Sequence, residues 1–166
     1  MSTLFLLIIS WLFFYIYIGT STTIRQEYGV IDFYDSSYVI NAEAFTIRKR
    51  RGEPYKTNVS ATLLYPWGNN VTLTIEYKQK SGTELIFKNK ICISLTMNWI
   101  KIFLLEYFNP PIAPKCPLPA GTYHVQNVEL PPKHFPLPLP TVDSTIVFRF
   151  KLDGRKVLLQ ISVKVK

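Results

Sequence analysis

Cys92 and Cys116, His124 and His134, and two pairs of carboxylates, Asp32 with Asp35 and Asp143 with Asp153, are the side chains of this chain best suited to chemistry. A hydrolytic triad needs a histidine oriented by a carboxylate beside a nucleophile. His124 falls in a stretch that reads as strand, His134 lies among prolines, and no Gly-x-Ser-x-Gly occurs. Nothing near the carboxylate pairs singles either out for general acid–base work, so the expectation is a protein that is not an enzyme and uses no cofactor. Neither histidine stands at a ligand spacing from a second His or Cys pair, so no metal site is expected. The cysteines can pair, and two of them allow a single connectivity. In an oxidising compartment the bond would close a loop of about 25 residues and constrain the unfolded chain by roughly 3 kcal/mol.

Binding is the other chemistry the residues suggest. From Cys92 to Tyr107 the chain is apolar on most sides, and Leu95, Trp99, Phe103 and Tyr107 fall at helical spacing. Between Trp99 and Phe108 large apolar side chains leave almost no polar face. Such an element must be buried on every side, contact a ligand or touch a membrane. Phe135, between His134 and Pro136, stands in a proline-rich piece that could close over the same opening. Trp99, Phe103, Leu104, Tyr107, Phe108 and Phe135 are therefore the candidate rim of a ligand cavity. An ordinary packed core accounts for Phe148 and Phe150 without any ligand.

Residues 1–21 read as a signal peptide. An apolar run from Leu4 to Ile18 is followed by small uncharged residues, the pattern of a secretory leader with an apolar core of roughly 7–15 residues. Cleavage is expected after Ser21, or else after Gly19; an uncleaved anchor is the alternative, but a span needs about 20 apolar residues. Residues 22–166 then form one secreted, extracellular domain of about 145 residues, long enough to bury its own core. The sequons at Asn58 and Asn70 agree with export and are expected at the surface. The whole net charge of +8 falls on the mature part. That balance suits anionic partners such as phospholipid head groups, sulfated glycans or an acidic receptor, and no nucleic-acid motif is present. Arg48-Lys49-Arg50-Arg51 is the one compact basic cluster, either a charged turn between strands or a binding patch.

The elements that must position these residues have a dominant period of two. Val71, Leu73, Ile75 and Tyr77 alternate with Thr72, Thr74, Glu76 and Lys78, a strand with one wet face. Val59, Ala61, Leu63 and Tyr65 make a similar row before the turn Pro66–Asn70. Ile146, Phe148, Phe150 and Leu152 alternate with Thr145, Val147, Arg149 and Lys151. Asp153-Gly154 then marks a tight hairpin, whose return strand carries Val157, Leu159, Ile161, Val163 and Val165 on one face. Further strands are expected over Tyr38–Arg48, Glu84–Lys90 and Thr122–Leu130. Asn109-Pro110-Pro111 would stop the helix, while alternation through Ile91, Ile93, Leu95 and Met97 reads as strand at its beginning. Leu130 to Pro140 must be an ordered loop or lid. These elements predict an all-β protein, an antiparallel immunoglobulin-like sandwich or β-cup with one short helix.

Several passages together resemble small secreted arthropod proteins of the ML lipid-recognition superfamily, in its ganglioside-activator-like branch and related insect families. They are Thr46-Ile47-Arg48 through Asn58-Val59-Ser60, Cys92 opening an apolar segment, Asn109-Pro110-Pro111, Cys116-Pro117-Leu118-Pro119-Ala120-Gly121-Thr122-Tyr123, and Leu137-Pro138-Leu139-Pro140 before the terminal hairpin. The resemblance spans roughly Ile40 to Lys166, and departs from the ganglioside activators in offering one disulfide in place of several. It implies a domain that encloses a lipid or other apolar small molecule between two sheets. The competing expectation is an adhesion or receptor-binding sandwich with no cavity.

Overall fold

A computed structural model describes residues 25–132, 134–140 and 143–166. The expected signal peptide, 1–21, lies outside the described residues. Eight strands form two antiparallel sheets: β1 (Gln26–Tyr34), β2 (Val39–Ile47), β3 (Lys56–Leu63), β4 (Val71–Gln79), β5 (Gly82–Lys90), β6 (Gly121–Val128), β7 (Ser144–Leu152) and β8 (Lys156–Val165). Two short helices, α1 (Ile91–Ser94) and α2 (Asn98–Tyr107), stand between β5 and β6. One sheet has the order β1-β8-β7-β4-β5 and the other β2-β3-β6. The fold is an all-β sandwich, as the alternation predicts, with two helices in place of one.

The terminal hairpin shows how local stereochemistry sets the register. Asp153 and Gly154 adopt φ of 48° and 70°, a pair of positive values that suits the twist of the flanking strands. Ile146 then faces Val163 and Phe148 faces Ile161 across β7 and β8. A register shift at Phe150/Lys151 leaves Leu158 fully buried in the core. β4, β7 and β8 supply half of that core, with Ile75, Ile146 and Val165 at or near zero exposure.

Simple alternation fails at several outward positions. Thr74, Val147, Leu158 and Ser162, which it assigns to the wet face, are all buried. Longer neighbours on that face are joined in a ladder crossing four strands. Arg149 donates to Glu76 and, through Nε, to Gln160 Oε1 at 2.6 Å; Gln160 Nε2 donates to Asp32 Oδ2 at 2.7 Å, and Ser162 donates to the same carboxylate. Long polar side chains can shield short residues while their own heads stay satisfied. Period two reads direction along a strand, not what the neighbouring strands lay over it.

β1 is a strand beyond the seven that the alternation suggests. Its pattern is obscured because its buried positions include Gln26 and Gly29, which carry no hydrophobic signal. Both are used where the two sheets meet. Gln26 donates its amide to the Thr57 hydroxyl, which contacts the Thr46 hydroxyl at 2.8 Å, and the Gly29 amide donates to Thr46 Oγ1 at 2.7 Å. A Cβ at Gly29 would lie 2.7 Å from Thr57 Cγ2, so the approach requires glycine. β1 lies against β2 and β3 here, and no other pair of described strands from opposite sheets comes as close. At the opposite edges of the sheets, β5 and β6, α2 and the proline-rich loop make the contacts: Trp99 meets Phe87 of β5 and Phe135 of the loop, and Phe108 bridges to Val125 of β6.

The turn from Pro66 to Asn70 carries the chain from one sheet to the other. Trp67 is its anchor, buried, paired through its backbone to Leu118 in both directions and set with its ring 5.0 Å from that of Phe150.

Candidate functional site

The candidate rim residues sit on α2 and on the loop that joins the two sheets. α2 has no side-chain cap at Met97 and no acidic residue in its first turn. A ten-residue helix so equipped is marginal alone and depends on its packing. Ile91 and Ser94 are buried in α1, so the beginning of the segment is helical; the alternation that suggested strand there is also one turn of helix. At the far end Phe108 turns extended ahead of Asn109-Pro110-Pro111, bridges to Val125, and the Asn109 amide donates to the His124 carbonyl at 2.9 Å. The Cys92–Cys116 disulfide forms, with Cα atoms 5.4 Å apart, and ties α1 to the chain entering β6.

Leu104 is the buried anchor of α2, while Trp99, Phe103, Tyr107 and Phe108 are half-buried and Leu105 is 55% exposed. The half-buried rings form two strings. Toward β5, Trp99 lies 5.6 Å from Phe87 and 5.5 Å from Phe135, edge-to-face with each. Toward β6, Phe103 lies 5.0 Å from Tyr107 and 6.1 Å from Phe108, which stands 6.2 Å from Tyr123. Edge-to-face pairs contribute about 0.5–1.5 kcal/mol each beyond their buried area. The structure therefore brings Trp99 of α2 together with Phe135 of the loop, and Phe103 with Tyr107 and Phe108 at the end of α2.

The proline-rich loop is ordered by its own leucines. Leu130 is buried, and Leu137 and Leu139 pack against the core. The Tyr77 hydroxyl on β4 donates to the Pro138 carbonyl. Burial, and then the Glu84 carboxylate, push the Tyr77 phenol up to about 12. On the other side Tyr123 donates to the Pro119 carbonyl at 2.5 Å, and burial raises its phenol too. Phe87, Tyr123 and Tyr77 escaped the sequence-based choice of rim residues. Each reads as an ordinary inward strand position, and no spacing relates it to α2 or to the loop.

The other singled-out residues lie elsewhere. Asn70 is exposed in its turn, its Oδ1 accepting from the Gly68 amide at 3.1 Å. Asn58 is half-buried on β3, and its Oδ1 accepts from the Asn127 amide at 2.9 Å. His124 and His134 are exposed. Asp32 belongs to the ladder, and Asp35 pairs with Lys156 at 2.6 Å, a contact that holds its carboxyl below the usual range. Among the described residues no group of three or more His, Cys, Asp or Glu could hold a metal ion, and no helix is long and apolar enough to cross a membrane.

No protein-family model matches this chain, and no curated protein matches it. Among solved structures it is similar to chicken MD-1 complexed with lipid IVa, at 12% identity over 84% of this chain and 98% of that one, with a TM-score of 0.36. A likeness so distant adds nothing to what the side chains say.

Proposed function

We propose that this chain is a secreted, non-catalytic carrier of a lipid or other apolar small molecule, the role that its ML lipid-recognition resemblance implies. The observation that supports this reading is the pair of aromatic strings that α2 makes toward β5 and β6, most of whose rings are only partly buried. A ring of about 150–250 Å² that keeps part of its surface in water forgoes roughly 1 kcal/mol of burial, and an apolar guest sliding among the rings would recover it. The ligand would enter between α2 and the proline-rich loop, past Phe103 and Phe135, with Trp99 between the walls. The disulfide fits an oxidising, extracellular setting.

The test is organic extraction and native mass spectrometry of protein secreted from insect cells, paired with uptake of a fluorescent fatty acid. A co-purifying lipid is expected, and Phe103→Asp or Phe135→Asp should reduce uptake about tenfold or more in folded protein, because either places a charge in an apolar path. Lipid-free protein with unchanged uptake by both variants would favour an adhesion sandwich.

A further inference from the structure

The hairpin joining β2 to β3 is unused by the carrier reading, and it combines two features seldom found together on a free surface. Between positions 48 and 56 stand five bases, Arg48, Lys49, Arg50, Arg51 and Lys56, against one acid, Glu53. Arg48 to Arg51 are all exposed. Immediately before them Phe45 and Ile47, two residues apart on β2, are 55% and 39% exposed. Ile47 pairs with Lys56 and Phe45 with Asn58, so apolar and basic groups share the end of one hairpin. The Arg48 guanidinium lies 4.8 Å from the Tyr55 ring centre, which holds one charge beside the strand end. The contact between Gln26 and Thr57 brings exposed Arg25 to the same end of the sandwich.

From this arrangement we infer that the β2–β3 hairpin docks the protein on an anionic phospholipid bilayer, with Phe45 and Ile47 entering the head-group layer and Arg48–Arg51 pairing with lipid phosphates and carboxylates. Charge complementarity selects an anionic partner, and the apolar pair selects a bilayer over a sulfated glycan. A glycan offers charge but no apolar layer for a half-exposed phenylalanine. Each basic residue held near such a surface contributes about 1 kcal/mol, an attraction that salt screens.

Co-sedimentation at physiological ionic strength tests this, with vesicles of phosphatidylcholine alone and of phosphatidylcholine mixed with phosphatidylserine. The protein should sediment with the mixed vesicles only. Arg50→Ser combined with Arg51→Ser should weaken that partition roughly thirtyfold, and Phe45→Ser roughly tenfold. Because Asn58 pairs with Phe45, a Ser60→Ala protein, which lacks that sequon, is assayed alongside. Absence of sedimentation from both it and the parent overturns the inference. So does sedimentation indifferent to lipid charge, and so does sedimentation with the mixed vesicles that Phe45→Ser leaves unchanged. All these positions are exposed or outside the aromatic strings, so each variant should take up the fluorescent fatty acid as the parent does. A failure to dock is therefore separable from a failure to carry.

Discussion

Tyr77 ties the loop of the candidate site to β4 through one hydrogen bond. Its ring belongs to the core, 3% exposed, and its hydroxyl holds Pro138 of the loop that carries Phe135. The donor exists only while the phenol is protonated. With the folded value pushed up to about 12 from an ordinary 10, the proton is bound more tightly in the native state. The stability that follows is fully present below pH 10 and is lost as pH rises from about 10 to about 12. Tyr77→Phe should cost about 1 kcal/mol at neutral pH. It should also flatten the alkaline fall, which urea midpoints measured through that window would show. Parallel curves for parent and variant would mean that the loop is held by Leu137 and Leu139 alone.

At the scale of elements, α2 is held from outside. Lacking an N-terminal cap, it relies on Leu104, on the two aromatic strings and on the disulfide behind it. Replacing Cys92 and Cys116 by serine should cost about 3 kcal/mol, the entropy of a loop spanning 24 residues. Calorimetry would read that loss, and limited proteolysis should show new cleavage at Lys115, beside the freed cysteine. The helix itself was legible in the spacing of Trp99, Phe103 and Tyr107, while Leu95, which shares that spacing, falls in the turn between the two helices. The conformation at Ile91 was not, because two apolar residues two apart suit a strand and a helical turn alike until the following residues are placed. The Arg48–Arg51 cluster was legible as a unit; that Phe45 and Ile47 stand free beside it depends on which row of β2 faces outward, the row of 41, 43, 45 and 47.

At the scale of the sandwich, the described residues are pinched along one side, where β1 lies against β2 and β3. Gly29 sets the pinch: its backbone conformation is unexceptional, but a methyl group there would meet Thr57, which is buried and held by Gln26 and Thr46. Gly29→Ala should therefore destabilise the fold by about 1–3 kcal/mol, the usual effect of overpacking a rigid site. A denaturant midpoint unchanged from the parent would show that the seam can yield. At the other side the rings of α2 stay partly exposed, between Phe87 of β5 and Tyr123 of β6.

By itself the sequence determined the strands with one wet face, the hairpin at Asp153-Gly154, the end of the helix before Pro110 and the single connectivity open to the two cysteines. These follow from backbone stereochemistry, from side-chain period and from a count of two, all of which act over a few residues or leave no alternative. Only the tertiary structure decided that β3 and β4 join different sheets, that Gln26 and Gly29 make β1 a strand, and that Phe87, Trp99 and Phe135 stack at one edge. The reason is physical. Contact between residues far apart in the chain is set by how two sheets close on each other, and that closure is a sum of many burials that no local pattern records.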